Sequence, residues 1–79
     1  MNFADATSRL KAILKNGETD APELGCVFYL VGDAIMSASR EIDGTIDYDN
    51  ATELDSSAWE PSLEEPMLAF ISRVEGGAA

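Results

Sequence analysis

Phe3, Ala6, Leu10, Ile13 and Leu14 recur at three- and four-residue intervals, the spacing that gathers apolar side chains on one face of a helix. This predicts a helix over Asn2 to Asn16, closed by Gly17 as a left-handed cap residue. Arg9, Lys11 and Lys15 fall on its other face, where cations near a C-terminus suit the helix dipole. Near the other end Leu63, Met67, Phe70, Ile71 and Val74 repeat the pattern and predict a second amphipathic helix over Ser62 to Glu75. Ser62 is its candidate cap, with Glu65 three residues later, and Gly76-Gly77 its end. Pro66 fits the first turn of such a helix if it starts at Leu63 or later.

The stretch from Asp20 to Gly44 can be read two ways, and the choice decides the fold. In the favoured reading Asp20 caps a long helix with Pro22 in its first turn and Glu23 at the capping-box position. Leu24, Val27, Phe28, Val31, Ile35, Ala38 and Ile42 keep a three-four spacing, and Ala34 to Glu41 has a helical composition. The expected fold is then all-α, a small three- or four-helix bundle with this helix at its centre. The alternative is α+β. Cys26 to Val31 is rich in β-branched and aromatic residues, and Gly32-Asp33 and Asp43-Gly44 can each make a two-residue hairpin turn. That reading gives a three-stranded antiparallel meander (25–31, 34–42, 45–49) flanked by the N- and C-terminal helices. Thr45 to Pro61 is polar, acidic and poorly periodic, a long surface connection with at most a helical turn around Asn50 to Leu54.

Seventy-nine residues with 46% apolar content bound the picture to one folded domain, 1–79, with a core only just large enough to offset chain entropy. A single Cys and no His leave neither a disulfide nor a zinc set to reinforce it. Cys26, inside an apolar run, reads as a buried small hydrophobe. No cofactor and no metal site is expected. Ile42 to Asp49 resembles half of an EF-hand loop, but Ser39 and Asn50 then stand at ligand positions that need carboxylates. Asp55-Ser56-Ser57 likewise falls short of the Asp-Ser-Leu attachment site of acyl carrier domains. Without His, and without a nucleophile motif around Ser56 or Ser57, no catalytic residue is expected and the chain reads as a non-enzyme. The N-terminal residues lack a basic stretch followed by an apolar core, and no run is long enough for a membrane span, so a cytoplasmic location and no membrane association are expected.

Charge sharpens this most. Fifteen acids against five bases give a formal −10, which argues against direct nucleic-acid binding, since phosphate neutralisation supplies most of that affinity. The acidity is uneven: three bases face one acid through Asn16, and fourteen acids face two bases after it. Between Glu41 and Glu65 carboxylates alternate with apolar groups, a pattern in which the acids steer encounter with a basic partner and the apolar groups anchor it. The candidate partner-binding residues are Glu41, Asp43, Asp47, Tyr48, Asp49, Glu53, Asp55, Trp59, Glu60 and Glu64. The same run can instead be a solvated face, with Tyr48 and Trp59 packed into the core beneath it. In size and charge the chain is similar to the small acidic proteins that phages use against restriction and CRISPR complexes. The expected function is an inhibitor that masks a basic, nucleic-acid-binding surface of a protein or nucleoprotein complex, as a nucleic-acid mimic. Alternatives are a toxin immunity protein or antitoxin, and a structural or adaptor subunit held in an assembly, a homo-oligomer included, by Cys26 to Val31.

Overall fold

A computed structural model describes residues 2–77 of the chain. Helix α1 (Phe3–Leu14) and helix α2 (Pro61–Gly77) flank a sheet of four strands: β1 (Thr19–Ala21), β2 (Cys26–Val31), β3 (Ala34–Ser39) and β4 (Thr52–Glu53). The strands run in spatial order β1-β2-β3-β4, every neighbour antiparallel. The architecture is α+β, so the expected all-α bundle is wrong and the meander alternative is the right class.

Helix α1 forms where its periodicity places it. The Asn2 side chain accepts from the Asp5 amide at 2.8 Å, and Gly17, at φ 119°, donates to the Leu14 carbonyl as the chain turns away. The middle of the chain departs from the favoured reading because of what two helices can cover. Phe28 and Leu30 on β2 and Ile35 on β3 pack against the helices, while Val27, Tyr29 and Val31 point to the other face. A three-four spacing and a period of two coincide over a stretch this apolar, and the turn breaks the tie. Gly32 has φ 60° and Asp33 keeps a negative φ, the signature of a type II′ hairpin turn. Once β2 turns back on itself, Ala34 to Ser39 becomes a strand despite its helical composition, because six cross-strand pairs from Val31↔Ala34 to Cys26↔Ser39 outweigh a weak local preference.

Beyond β3 the expected meander is corrected: strand 34–42 stops at Ser39 and no strand forms over 45–49. Strand pairing ends at Ser39, followed by one isolated bridge, Arg40↔Ile46, around the Asp43-Gly44 turn. A short 3-10 turn at Tyr48–Asn50 leads into β4, so Asn50 to Leu54 holds a strand and not a helical turn. The connection is therefore structured: it supplies the sheet's last strand, and a second 3-10 turn at Ser56–Ala58 leads to α2.

The core lies between the sheet and the two helices. Ala6, Leu10 and Leu14 of α1, Met67, Phe70 and Ile71 of α2, and Ala21, Phe28 and Ile35 of the sheet are buried together. The rings of Phe28 and Phe70 stack at 5.6 Å, tilted by 44°. Helix α2 starts at Pro61, earlier than expected, with the Leu63 amide donating to the Glu60 carbonyl at 2.9 Å. Ser62 is thus inside the helix and not its cap, and Pro66 sits past the first turn, where its missing N–H leaves the Ser62 carbonyl without its helical donor. Arg9 of α1 pairs with Glu75 of α2 at 2.6 Å, and Arg73 of α2 pairs with Glu23, just after β1. Arg73 also donates to the Asp20 carbonyl at 3.1 Å, covering a backbone acceptor on the edge strand. None of the helices among the described residues is long and apolar enough to cross a membrane.

Candidate functional site

The sheet has apolar side chains on both faces but helices on only one. On the outer face Val27 and Ala38, opposite each other in the ladder, are buried although they are outside the helix-side cluster. They are covered by the segment from Arg40 to Asn50. Arg40 reaches across to Asp20 on β1 at 2.6 Å and to the Gly44 carbonyl at 3.0 Å, and Tyr48 packs edge-on against Tyr29 with ring centroids 5.8 Å apart. The Tyr48 hydroxyl donates to the Glu18 carboxylate at 2.8 Å, a bond that holds the phenol above its ordinary pKa.

The hairpin end of the same face is open. Tyr29 and Met36, opposite each other, are half-buried, Val31 is 58% exposed and Tyr48 is 48% exposed. A tyrosine, a methionine and a valine on the ladder, with Tyr48 of the 3-10 turn packed against Tyr29, have the composition of an interface core. Carboxylates ring them: Glu18 beside Tyr48, Asp33 in the hairpin turn, Glu53 opposite Met36 on β4, and Asp47 and Asp49 flanking Tyr48.

The expected partner-binding residues divide between two sides of the molecule. Glu41, Asp43, Asp47, Tyr48 and Asp49 lie in the segment that crosses the outer face, and Glu53 faces the same side. Asp43 is turned inward on its own loop. It accepts from the Thr45 hydroxyl at 2.7 Å and the Thr45 amide at 3.0 Å, and those bonds hold its carboxyl below the ordinary range. Asp47 accepts from the Asn50 amide group at 2.9 Å. Asp55 binds the Ser57 amide and hydroxyl, at 3.0 and 2.6 Å, and orders the second 3-10 turn. Trp59, in contrast, packs on the helix side, its ring 6.0 Å from Phe3 in an edge contact and against the core cluster. Glu60 and Glu64 follow it at the start of α2, with Glu60 accepting from Ser62. Tyr48 and Trp59 are therefore on opposite sides of the sheet and cannot serve one contact patch.

Met36 was not among the expected binding residues, and Tyr29 and Val31 entered only through the assembly alternative carried by Cys26 to Val31, because a buried central helix leaves no role for an exposed apolar face. Their signal was the double-sided apolar run itself: two amphipathic helices supply cover for a single face of a hairpin.

A cleft of about 320 Å³ opens on the helix side of the sheet, between α1 and the β3–β4 edge. Phe3, Ile35 and Leu54 are its apolar lining, and the acids Asp33, Glu53 and Asp55 line it together with Lys11 of α1.

Cys26 is half-buried against the helix-side core, and burial pushes its thiol up to about 11. Against an ordinary thiol at 9.0, this leaves about 100-fold less thiolate near neutral pH. The higher intrinsic nucleophilicity of a more basic thiolate recovers part of this, leaving roughly tenfold slower reaction. Alkylation with iodoacetamide at pH 8 should therefore run about tenfold slower on the folded chain than in urea. Equal rates would show that Cys26 is not held in the core.

The chain matches no protein-family model, no curated protein and no solved structure.

Proposed function

We propose that this chain is a protein-binding inhibitor whose open sheet face covers a basic, nucleic-acid-binding surface of a partner protein or nucleoprotein complex. The supporting observation is the distribution of charge around the exposed apolar patch. All three arginines are paired with acids outside the Glu41 to Glu65 run: Arg9 with Glu75, Arg40 with Asp20, and Arg73 with Glu23. The carboxylates around Tyr29, Val31, Met36 and Tyr48 thus keep their field, and they surround groups able to make buried contacts. Such a rim raises the rate of encounter with a basic surface and the apolar centre slows release. Carboxylates at fixed positions on a sheet also meet lysines and arginines that would otherwise hold phosphates.

The immobilised chain should capture, from a bacterial lysate at low salt, a protein that elutes as salt is raised. Addition of the free chain should displace that protein from its DNA or RNA. A variant carrying Asp47→Lys, Asp49→Lys and Glu53→Lys should lose both effects while keeping its circular dichroism spectrum. Capture that ignores salt and charge reversal, or a captured partner that still holds nucleic acid when the chain is bound, would sink the masking function.

A further inference from the structure

We infer that the cleft between α1 and the β3–β4 edge receives an arginine side chain of the basic partner. This rests on the reading of the chain as a binder of such a partner, and names the contact it makes. An arginine side chain has two parts with opposite needs: an aliphatic stem that gains from leaving water, and a planar, weakly hydrated cation that matches carboxylates. The cleft offers both. Its apolar lining is Phe3 with Ile35 and Leu54, members or neighbours of the core cluster or held beside it, Phe3 by its edge contact with Trp59. Asp33, from the hairpin turn, and Glu53, from β4, also line it, on elements that the β3 ladder and the Leu54 to Ile35 backbone bond at 2.9 Å hold in place.

No hydrogen bond or ion pair joins the Asp33 or Glu53 carboxylate to another described residue, so each can turn toward a guanidinium without breaking one. Lys11 borders the cleft and is not ion-paired to any of its carboxylates. It is a like charge to the incoming cation, and the cleft's lining acids outnumber it. Glu53 also lies opposite Met36, so an arginine seated here would sit at the border of the open sheet face, within one contact area.

The probe is N-acetyl-arginine methylamide, titrated into the isotopically labelled full chain and followed by amide shifts and by contacts from its side-chain methylenes. Saturable shifts confined to Phe3, Asp33 to Ile35 and Glu53 to Ser56, with methylene contacts to the Phe3 ring, are expected. Asp33→Asn with Glu53→Asn should weaken the probe at least fivefold, whereas Asp43→Asn with Asp49→Asn, an equal change in net charge, should leave it unchanged. Lys11→Glu should tighten binding and Lys15→Glu, on the same helix, should not. Shifts spread over the acidic surface, or equal effects within either matched pair of variants, would show bulk charge attraction and overturn the site. The outcomes separate from those of the masking function: a captured partner indifferent to Asp33→Asn with Glu53→Asn removes the cleft and keeps the function, and a seated probe with no displaced nucleic acid does the reverse.

Discussion

Replacing Phe70 with Ala should cost the fold about 3–5 kcal/mol, the usual range for deleting a buried aromatic ring. Phe70 is fully buried, is among the largest such side chains of the core, stacks on Phe28, and carries the Arg73 guanidinium 5.7 Å above its ring. It joins α2 to the central hairpin, so its loss opens a cavity where the helix and sheet layers meet. A chain of 79 residues has a total stability of roughly 4–12 kcal/mol on the usual per-residue scale, so this one change removes about a quarter of it or more. Urea unfolding followed by circular dichroism should show a midpoint shifted far toward zero denaturant, or no folded baseline at all. Phe70→Leu keeps most of the volume and should lose only about 1.5 kcal/mol or less. Leu68→Ala, two residues away but 45% exposed, should stay within about 0.5 kcal/mol of the parent. Equal midpoints for Phe70→Ala and Leu68→Ala would show that the two-layer packing is wrong.

The open face should give the opposite result. Changing Tyr29 and Met36 together to Ala should weaken the complex with a basic partner by at least about 30-fold, near the 2 kcal/mol that marks an interface hot spot. The same double variant should keep a cooperative unfolding transition, because both side chains lie outside the helix-side core and neither is fully buried. Trp59→Ala is the matching contrast. Its ring packs on Phe3 and the core cluster, so its removal should lower stability and leave the affinity of the folded fraction unchanged. Dissociation constants measured at one ionic strength, alongside urea midpoints, separate the two outcomes. Loss of affinity in Trp59→Ala without loss of stability, or none in the Tyr29/Met36 double variant, would move the contact surface to the helix side.

That contrast shows where sequence reasoning stopped. Tyr48 and Trp59 look alike along the chain, each an aromatic residue among carboxylates. Which of them is an anchor depends on the face of the sheet it meets, and that follows from the hairpin turn at Gly32-Asp33. The helical reading of Asp20 to Gly44 failed for the same reason. Val27, Phe28, Val31 and Ile35 satisfy a helical spacing only if Tyr29 and Leu30 are set aside. In the strand Tyr29 takes its place beside Val27 and Val31 on one face and Leu30 beside Phe28 on the other. A period of two cannot be told from three-four spacing where nearly every position is apolar.

Local chemistry alone determined the two terminal helices, the glycine that ends the first, and the concentration of negative charge after Asn16, since each rests on residues close together in sequence. Only the tertiary structure decided that Ala34 to Ser39 is a strand, that Trp59 belongs to the core, and that Tyr29, Val31 and Met36 share an open face with Glu53 and Asp33. These depend on pairing across the hairpin and on helices enough to cover one face of the sheet, and both arise from contacts between residues far apart in the chain.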